Sequence, residues 1–217
     1  MHWLIDFDDT LAIGPTTWAL SHVFPKMIRD NHLPYDADRF ADAVIYGQRQ
    51  GNQDVSDDVV IDDLFRTMNW PDTLKASLIE QIYKGYQPAL FDDARPLLER
   101  LAAKSQTIYI VSNNNYAVQI AEQLGIAHYF AGMYTPKTCG GLRAKPQRDM
   151  WDYLLSHHEI ESGQPVAIVG DDPWSDGAFA DECNINCWIV DRMKRFDRLH
   201  VEHNYHWVSS LAEIEIA

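Results

Sequence analysis

Three short apolar runs, Trp3-Leu4-Ile5, Thr107 to Val111 and Val166 to Val169, each break off into polar or acidic residues. That shared ending constrains the fold more than any other feature of the chain. The first run leads into Asp6-Phe7-Asp8-Asp9-Thr10-Leu11, the second into Ser112-Asn113-Asn114-Asn115, and the third into Gly170-Asp171-Asp172-Pro173-Trp174-Ser175-Asp176. Thr107 to Val111 is almost wholly β-branched and aromatic, as expected of a parallel strand covered on both faces. Between the second and third runs the apolar spacing turns helical, with Ala117, Ile120, Ala121 and Leu124 stopping at Gly125, then Met150, Trp151, Leu154 and Leu155. Alternating strands and helices imply an α/β fold with a doubly wound, Rossmann-like parallel sheet. Such sheets bind ligands beyond the carboxyl ends of their strands, so the three polar endings are expected to converge.

The remaining elements fit around this frame. Asp92 or Asp93 is placed to cap a helix bearing Ala94, Leu97, Leu98 and Leu101, with Pro96 tolerated in its first turn. Tyr129 to Tyr134 reads as a short strand and Cys187 to Val190 as another. A polar connection then leads to a capped C-terminal helix at Ser210-Leu211-Ala212-Glu213. From Thr16 to Gln87 the signals are helical throughout, in four stripes: Leu20, Val23, Phe24, Met27 and Ile28; Phe40, Ala43 and Val44; Ile61, Leu64, Phe65 and Met68; Leu74, Leu78 and Ile82. Pro34, the polar run Gly47 to Asp54 and Trp70-Pro71-Asp72 punctuate them. The expected organisation is an α/β core formed by 1–15 and 91–217, interrupted by a small helical-bundle domain over 16–90. Gly14-Pro15 is a plausible hinge between them, pairing a free φ with a fixed one.

Because a strand sends successive side chains to opposite sides, Asp6 and Asp8 can share a face with Phe7 turned away. Paired carboxylates repel unless a proton or a hard cation separates them, and oxygen-rich sites suit Mg²⁺. On this stretch alone, Asp8, Asp9 and Thr10 serve equally well as helix caps or turn formers. Convergence with Ser112 and the Asp171 group is what favours a magnesium site. The formal net charge of −14 argues against a reader of nucleic-acid backbones and against anionic membrane surfaces. An anionic substrate would need local cations. No apolar run approaches transmembrane length and no secretory signal pattern opens the chain, so a soluble, cytoplasmic protein is expected. Cys139, Cys183 and Cys187 are odd in number and lack zinc-like spacing, which suggests reduced packing residues. His157-His158, His200, His203 and His206 lie in polar stretches and read as solvated surface.

Taken together, Asp6 to Thr10, Ser112 closing an apolar strand, Lys145-Pro146, and Gly170-Asp171-Asp172 with Asp176 resemble the four motifs of the haloacid dehalogenase (HAD) superfamily of phosphotransferases. With a helical insert after the first motif, the chain is similar to the subfamily that carries an all-helical cap, which includes phosphoglycolate phosphatase and β-phosphoglucomutase. The resemblance implies that Asp6 is the nucleophile that forms an aspartyl phosphate. It implies that Asp8 protonates the leaving oxygen, later activates water, and reaches the metal through its backbone carbonyl. Thr10, Ser112, the N–H of Asn113 and Lys145 are then implied phosphate-binding groups, and Asp6, Asp8, Asp171 and Asp176 surround Mg²⁺. Asp172 supports them or simply caps the next helix. Ser112 and Lys145 each also have an ordinary reading, as a strand-ending serine and a surface lysine.

In related caps an inter-helix loop touches the leaving group, which makes Tyr46, Arg49 and Gln50 candidates, Arg49 as substrate-binding. The expected activity is Mg²⁺-dependent hydrolysis of a small phosphorylated metabolite, with no nucleic acid polymer and no membrane involved. A phosphomutase on the same site and a noncatalytic phospholigand-binding protein are the alternatives. Dehalogenation is disfavoured because a halide leaves without the proton that Asp8 would provide. A receiver domain is disfavoured by the helical insert and the Asp6/Asp8 spacing.

Overall fold

A computed structural model of the chain describes residues 1–51, 57–157, 159–161, 163–196 and 205–216. Strand β1 (His2–Ile5) is followed by helices α1 (Pro15–His22), α2 (Phe24–Asp30), α3 (Ala37–Gly51), α4 (Asp57–Met68) and α5 (Lys75–Gly85). Then come α6 (Ala94–Ala103), β2 (Thr107–Val111), α7 (Ala117–Gln123), β3 (Gly132–Tyr134), α8 (Asp149–Ser156), β4 (Val166–Gly170), α9 (Ala178–Cys183), β5 (Asn186–Val190) and β6 (His206–Val208). They divide into two compact units, Met1–Ile13 with Pro88–Ala217, and Gly14–Gln87.

In the first unit the six strands are all parallel, in the order β3-β2-β1-β4-β5-β6. Register makes the period of two visible in the core. Trp3 lies beside Ile108 and Ala167, and Ile5 beside Ile110 and Val169; these six share one face with Leu97, Leu98 and Leu101 of α6 and Ala117 and Ala121 of α7. Leu4, Tyr109, Val111 and Ile168 point the other way, against Met150 and Leu154 of α8 and Phe179 and Ala180 of α9. Each fully buried aliphatic side chain contributes roughly 1.5–3 kcal/mol, so a one-residue slip of β1 would forfeit both faces at once. The chain winds outward from β1 to β2 and β3, then returns to β4 on the other side of β1. That reversal places the topological switch point, where ligands bind in such sheets, at the carboxyl ends of β1 and β4.

Several expectations are corrected here. The polar connection after β5 contains an edge strand, β6, which pairs Trp188 with His206 and Val190 with Val208. Its His206 and Trp207 are exposed, so it carries no inward apolar alternation. Ala127–Tyr129 is a 3₁₀ turn, and β3 begins only at Gly132. The C-terminal helix is a single 3₁₀ turn, Leu211–Glu213, although the Ser210 hydroxyl does cap it by accepting from the Ala212 N–H. Asp93 stands at the N-cap of α6 without a side-chain cap bond; its carboxylate instead receives Arg192, the Ser210 hydroxyl and the Leu211 N–H. Cys139, Cys183 and Cys187 are free thiols, two of them buried.

The helical unit is built on rings. Phe24, Phe40, Phe65 and Trp70 meet at centroid separations of 5.4–6.2 Å, and the Trp70 indole N–H donates to the Pro34 carbonyl at 2.8 Å. Val23, Met27, Leu64, Met68 and Leu78 complete this core. The expected break at Gly47 is overturned, because α3 runs on to Gly51. A Cβ at Gly47 would meet Val60 Cγ1 at 2.7 Å; the glycine lets α3 and α4 approach closely. Residues 52–54 of that expected loop, and His158, His200 and His203, lie outside the described residues. No described helix is long and apolar enough to cross a membrane.

Candidate active site

Strand β1 stops at Ile5, and the Asp6 N–H donates to the Val169 carbonyl at 2.8 Å, which sets Asp6 beside the end of β4. The backbone then doubles back. Leu11 and Ala12 both donate to the Phe7 carbonyl at 3.0 Å, Asp9 donates to the Ala12 carbonyl at 2.7 Å, and Asp9 takes φ +56°, a left-handed conformation that Asp adopts more readily than most residues. Phe7 is fully buried with the β1 face of Trp3 and Ile5. Asp6 and Asp8 stand apart from that apolar cluster.

Lys145 is the hub. Its ammonium is 1% exposed and lies 2.8 Å from Asp6 Oδ1 and 2.5 Å from Asp176 Oδ1. Asn113, just beyond β2, accepts from the Lys145 N–H at 2.8 Å and donates to the Lys145 carbonyl at 3.0 Å. This closed pair fixes the lysine's loop to the sheet. Asp176 is held from the other side, its Oδ2 accepting the Asp171 and Asp172 N–H groups at 3.2 Å each. It can fold back this far because residue 170 is glycine, where a Cβ would lie 2.0 Å from Asp176 Cγ. Asp172 accepts from the N–H groups of Trp174 and Ser175 and caps the π-helical turn Pro173–Gly177. Asp176, not Asp172, joins Asp6 and Asp171, and one carboxylate oxygen from each lies within 4.8 Å of the others.

The other expected residues fall around this centre. Asp8 Oδ2 accepts from the Asn114 amide at 2.9 Å, while its Oδ1 is buried without a hydrogen-bond partner. Ser112 is buried, and its hydroxyl accepts from the Asn114 N–H at 3.2 Å. The Thr10 hydroxyl faces Asp6 Oδ2 at 3.5 Å. The Asp8 carboxylate stands outside the acidic trio. Arg49 belongs to the helical unit, exposed on α3.

Burial dominates the electrostatics. It pushes the Asp6 carboxyl up to about 7 against the pull of Lys145, with Asp176 and Asp8 adding to the rise. Burial also pushes Asp8 up to about 7, opposed by the Asn114 hydrogen bond. Asp171 is raised well above the usual carboxylate range by burial, although Arg195 opposes this. Burial by itself would lower Lys145, but the charges of Asp176 and Asp6 outweigh it and raise the ammonium above its ordinary value. Burial opposes the charge on Asp6 and Asp171, and a divalent cation such as Mg²⁺ held by the hard, crowded oxygens of Asp6, Asp171 and Asp176 would relieve it, so the donor set fits that ion.

Two arginines complete the site and carry no motif in the sequence. Arg195 donates to Asp171 Oδ2 at 2.6 Å and to the Asp171 carbonyl at 3.2 Å. Arg192 grips Asp93 through two bonds of 2.7 and 2.8 Å, donates to the Thr10 carbonyl at 2.9 Å, and lies 4.0 Å over the Phe91 ring. Both come from the turn after β5, which Asp191 holds by accepting from the Arg195 and Phe196 N–H groups. Isolated arginines in a polar connection offered no signal.

A family model for haloacid dehalogenase-like hydrolases matches residues 3–184. Sequence comparison with curated proteins finds no match. Among solved structures, the chain is similar to YfnB from Bacillus subtilis, described as a HAD-hydrolase and solved bound to magnesium (TM-score 0.66, 18% identity, covering 98% of this chain and 95% of that one). It is similar to a HAD phosphatase from Thermococcus onnurineus (0.59, 20%, 98% and 94%). It is also similar to a protein from Haemophilus somnus 129PT described as a predicted phosphoglycolate phosphatase (0.63, 18%, 97% and 94%). At these identities the likenesses bear on the fold.

Proposed function

The chain belongs to the haloacid dehalogenase-like hydrolase family, and from that premise we propose that it is a Mg²⁺-dependent phosphatase that cleaves a small phosphomonoester through an aspartyl phosphate on Asp6. The observation that carries this reading is the position of Lys145 between Asp6 and Asp176, with Asp171 completing the acidic trio.

In this reading the Asp6 carboxylate attacks phosphorus, the bond to the leaving oxygen breaks, and Asp8 gives that oxygen a proton. A carboxyl pushed up to about 7 holds a proton near neutral pH, and the unpartnered Oδ1 is free to carry it. Asp8, now ionised, takes a proton from water, whose oxygen attacks the aspartyl phosphate and releases Asp6 and inorganic phosphate. Ser112 and the backbone N–H of Asn113 bind the phosphoryl oxygens as charge spreads over them. Lys145 keeps Asp6 oriented and offsets its charge. When bound by the Asp6, Asp171 and Asp176 carboxylates and the Asp8 carbonyl, Mg²⁺ supplies the positive charge that lets a carboxylate meet a phosphate dianion. The helical unit is assigned substrate choice, as a cap, with Arg49 a candidate contact for the leaving group.

Phosphate release from p-nitrophenyl phosphate is the test. It is expected with MgCl₂, absent with EDTA, and reduced at least ~10⁴-fold in Asp6→Asn, as for removal of other covalent nucleophiles. Turnover that persists in Asp6→Asn would remove the covalent step.

A further inference from the structure

Arg195 does more at the acidic cluster than lend it a charge. One nitrogen, Nη2, holds both Asp171 Oδ2 and the Asp171 backbone carbonyl, so the carboxylate is fixed relative to its own main chain. The arginine is itself fixed. Its backbone N–H and that of Phe196 are bound by the two oxygens of Asp191, at 2.8 and 3.0 Å. Its guanidinium lies 5.0 Å over the Phe196 ring, which in turn meets Trp174 edge-on at 5.3 Å. Both partners of the ion pair are about nine-tenths buried, with side-chain exposures of 11% and 10%. The consequence for Asp171 is that its carboxylate is held in one orientation, with Oδ2 tied to the guanidinium.

That restriction discriminates between ions. Mg²⁺ is small and takes oxygens one at a time in near-ideal octahedral order, whereas the larger Ca²⁺ accepts both oxygens of one carboxylate and a looser arrangement. We infer that Arg195 is a positioning residue that sets the cation preference of the Asp6–Asp171–Asp176 cluster towards Mg²⁺ by holding the Asp171 carboxylate in one orientation, so that it cannot turn to offer both oxygens to a larger ion. The inference rests on the reading of that cluster as a divalent-cation site.

The two ions carry the same charge, so the coulombic effect of removing a guanidinium is common to both and cancels in the ratio of their affinities. The ratio therefore isolates the geometric role. Isothermal titration of the full-length protein with MgCl₂ and with CaCl₂, without substrate, gives the ratio directly. Arg195→Leu and Arg195→Met are expected to shift the preference towards Ca²⁺ by about tenfold, the low end for partners that orient metal ligands. Arg195→Lys, which retains a donor for Oδ2, should recover most of the original ratio. Thermal melts would identify any variant that fails to fold. An unchanged ratio in whichever folded variant lacks the donor overturns the role of Arg195 and leaves the cation site standing. Absence of any Mg²⁺ or Ca²⁺ binding by the parent protein overturns both.

Discussion

The α/β unit and the helical unit bury different things. All nine polar or charged side chains that are buried among the described residues belong to the α/β unit, four of them, Asp6, Lys145, Asp171 and Asp176, around the ends of β1 and β4. The described core of the helical unit is hydrophobic throughout, with four aromatic rings at its centre. One unit thus combines its fold with groups that oppose folding unless compensated, and the other has a core held mainly by apolar packing. The chemistry and its energetic cost are located together, which makes the two units respond to different perturbations.

The largest expected effect is at Lys145. Lys145→Met leaves Asp6 and Asp176 buried without their shared cation. Urea unfolding should show a loss of about 3–5 kcal/mol, as for other broken buried ion pairs, with phosphatase activity lost as well. Added MgCl₂ should recover part of the stability and none of the activity. A loss below about 1 kcal/mol would mean that the acids relax into water and that the two units do not differ in this way.

A comparable perturbation of the helical unit is Phe65→Ala, which removes a ring that is 0% exposed and should cost about 3–5 kcal/mol. Hydrogen exchange should then accelerate in α4 and α5 while the amides of β1, β2 and β4 keep their protection. Equal acceleration in both units would show that they unfold together.

Per group, the smallest and sharpest effect is pH. In protein kept metal-free by EDTA, Asp6 and Asp8 hold their protons up to about pH 7, against a usual 3.8. The folded state binds those protons more tightly than the unfolded chain, so their contribution to stability is full below about pH 4 and is lost as pH rises through 7. Between pH 5.5 and 8 the α/β unit should weaken by about 2 kcal/mol per carboxylate. Exchange in the helical unit, corrected for intrinsic rates, should not follow. Saturating MgCl₂ should flatten the dependence.

What the amino-acid order disclosed, and what it hid, divides along physical lines. Strands buried on both faces announced themselves through β-branched runs, and their polar ends pointed to Asp6, Ser112 and Asp171 because strand direction alone collects such ends. Strand β6 was invisible because two of its three residues face solvent and its pairing is supplied by β5. Gly47 misled for a different reason, since a glycine required by the neighbouring Val60 looks the same in sequence as one that ends a helix. Arg192 and Arg195 were missed because their importance comes from reaching Thr10, Asp93 and Asp171, which are distant in the chain. Asn113 was noticed for its backbone, whereas its side chain clasps the lysine loop.

The bare backbone at Gly170 has a wider implication. With Asp176 Cγ occupying the space where any other residue would begin, position 170 is closed to gradual change. One added methyl would displace Asp176, and the displacement would be felt at Lys145, which Asp176 helps to hold. A change at any one of 170, 176 and 145 is therefore expected to disturb the other two.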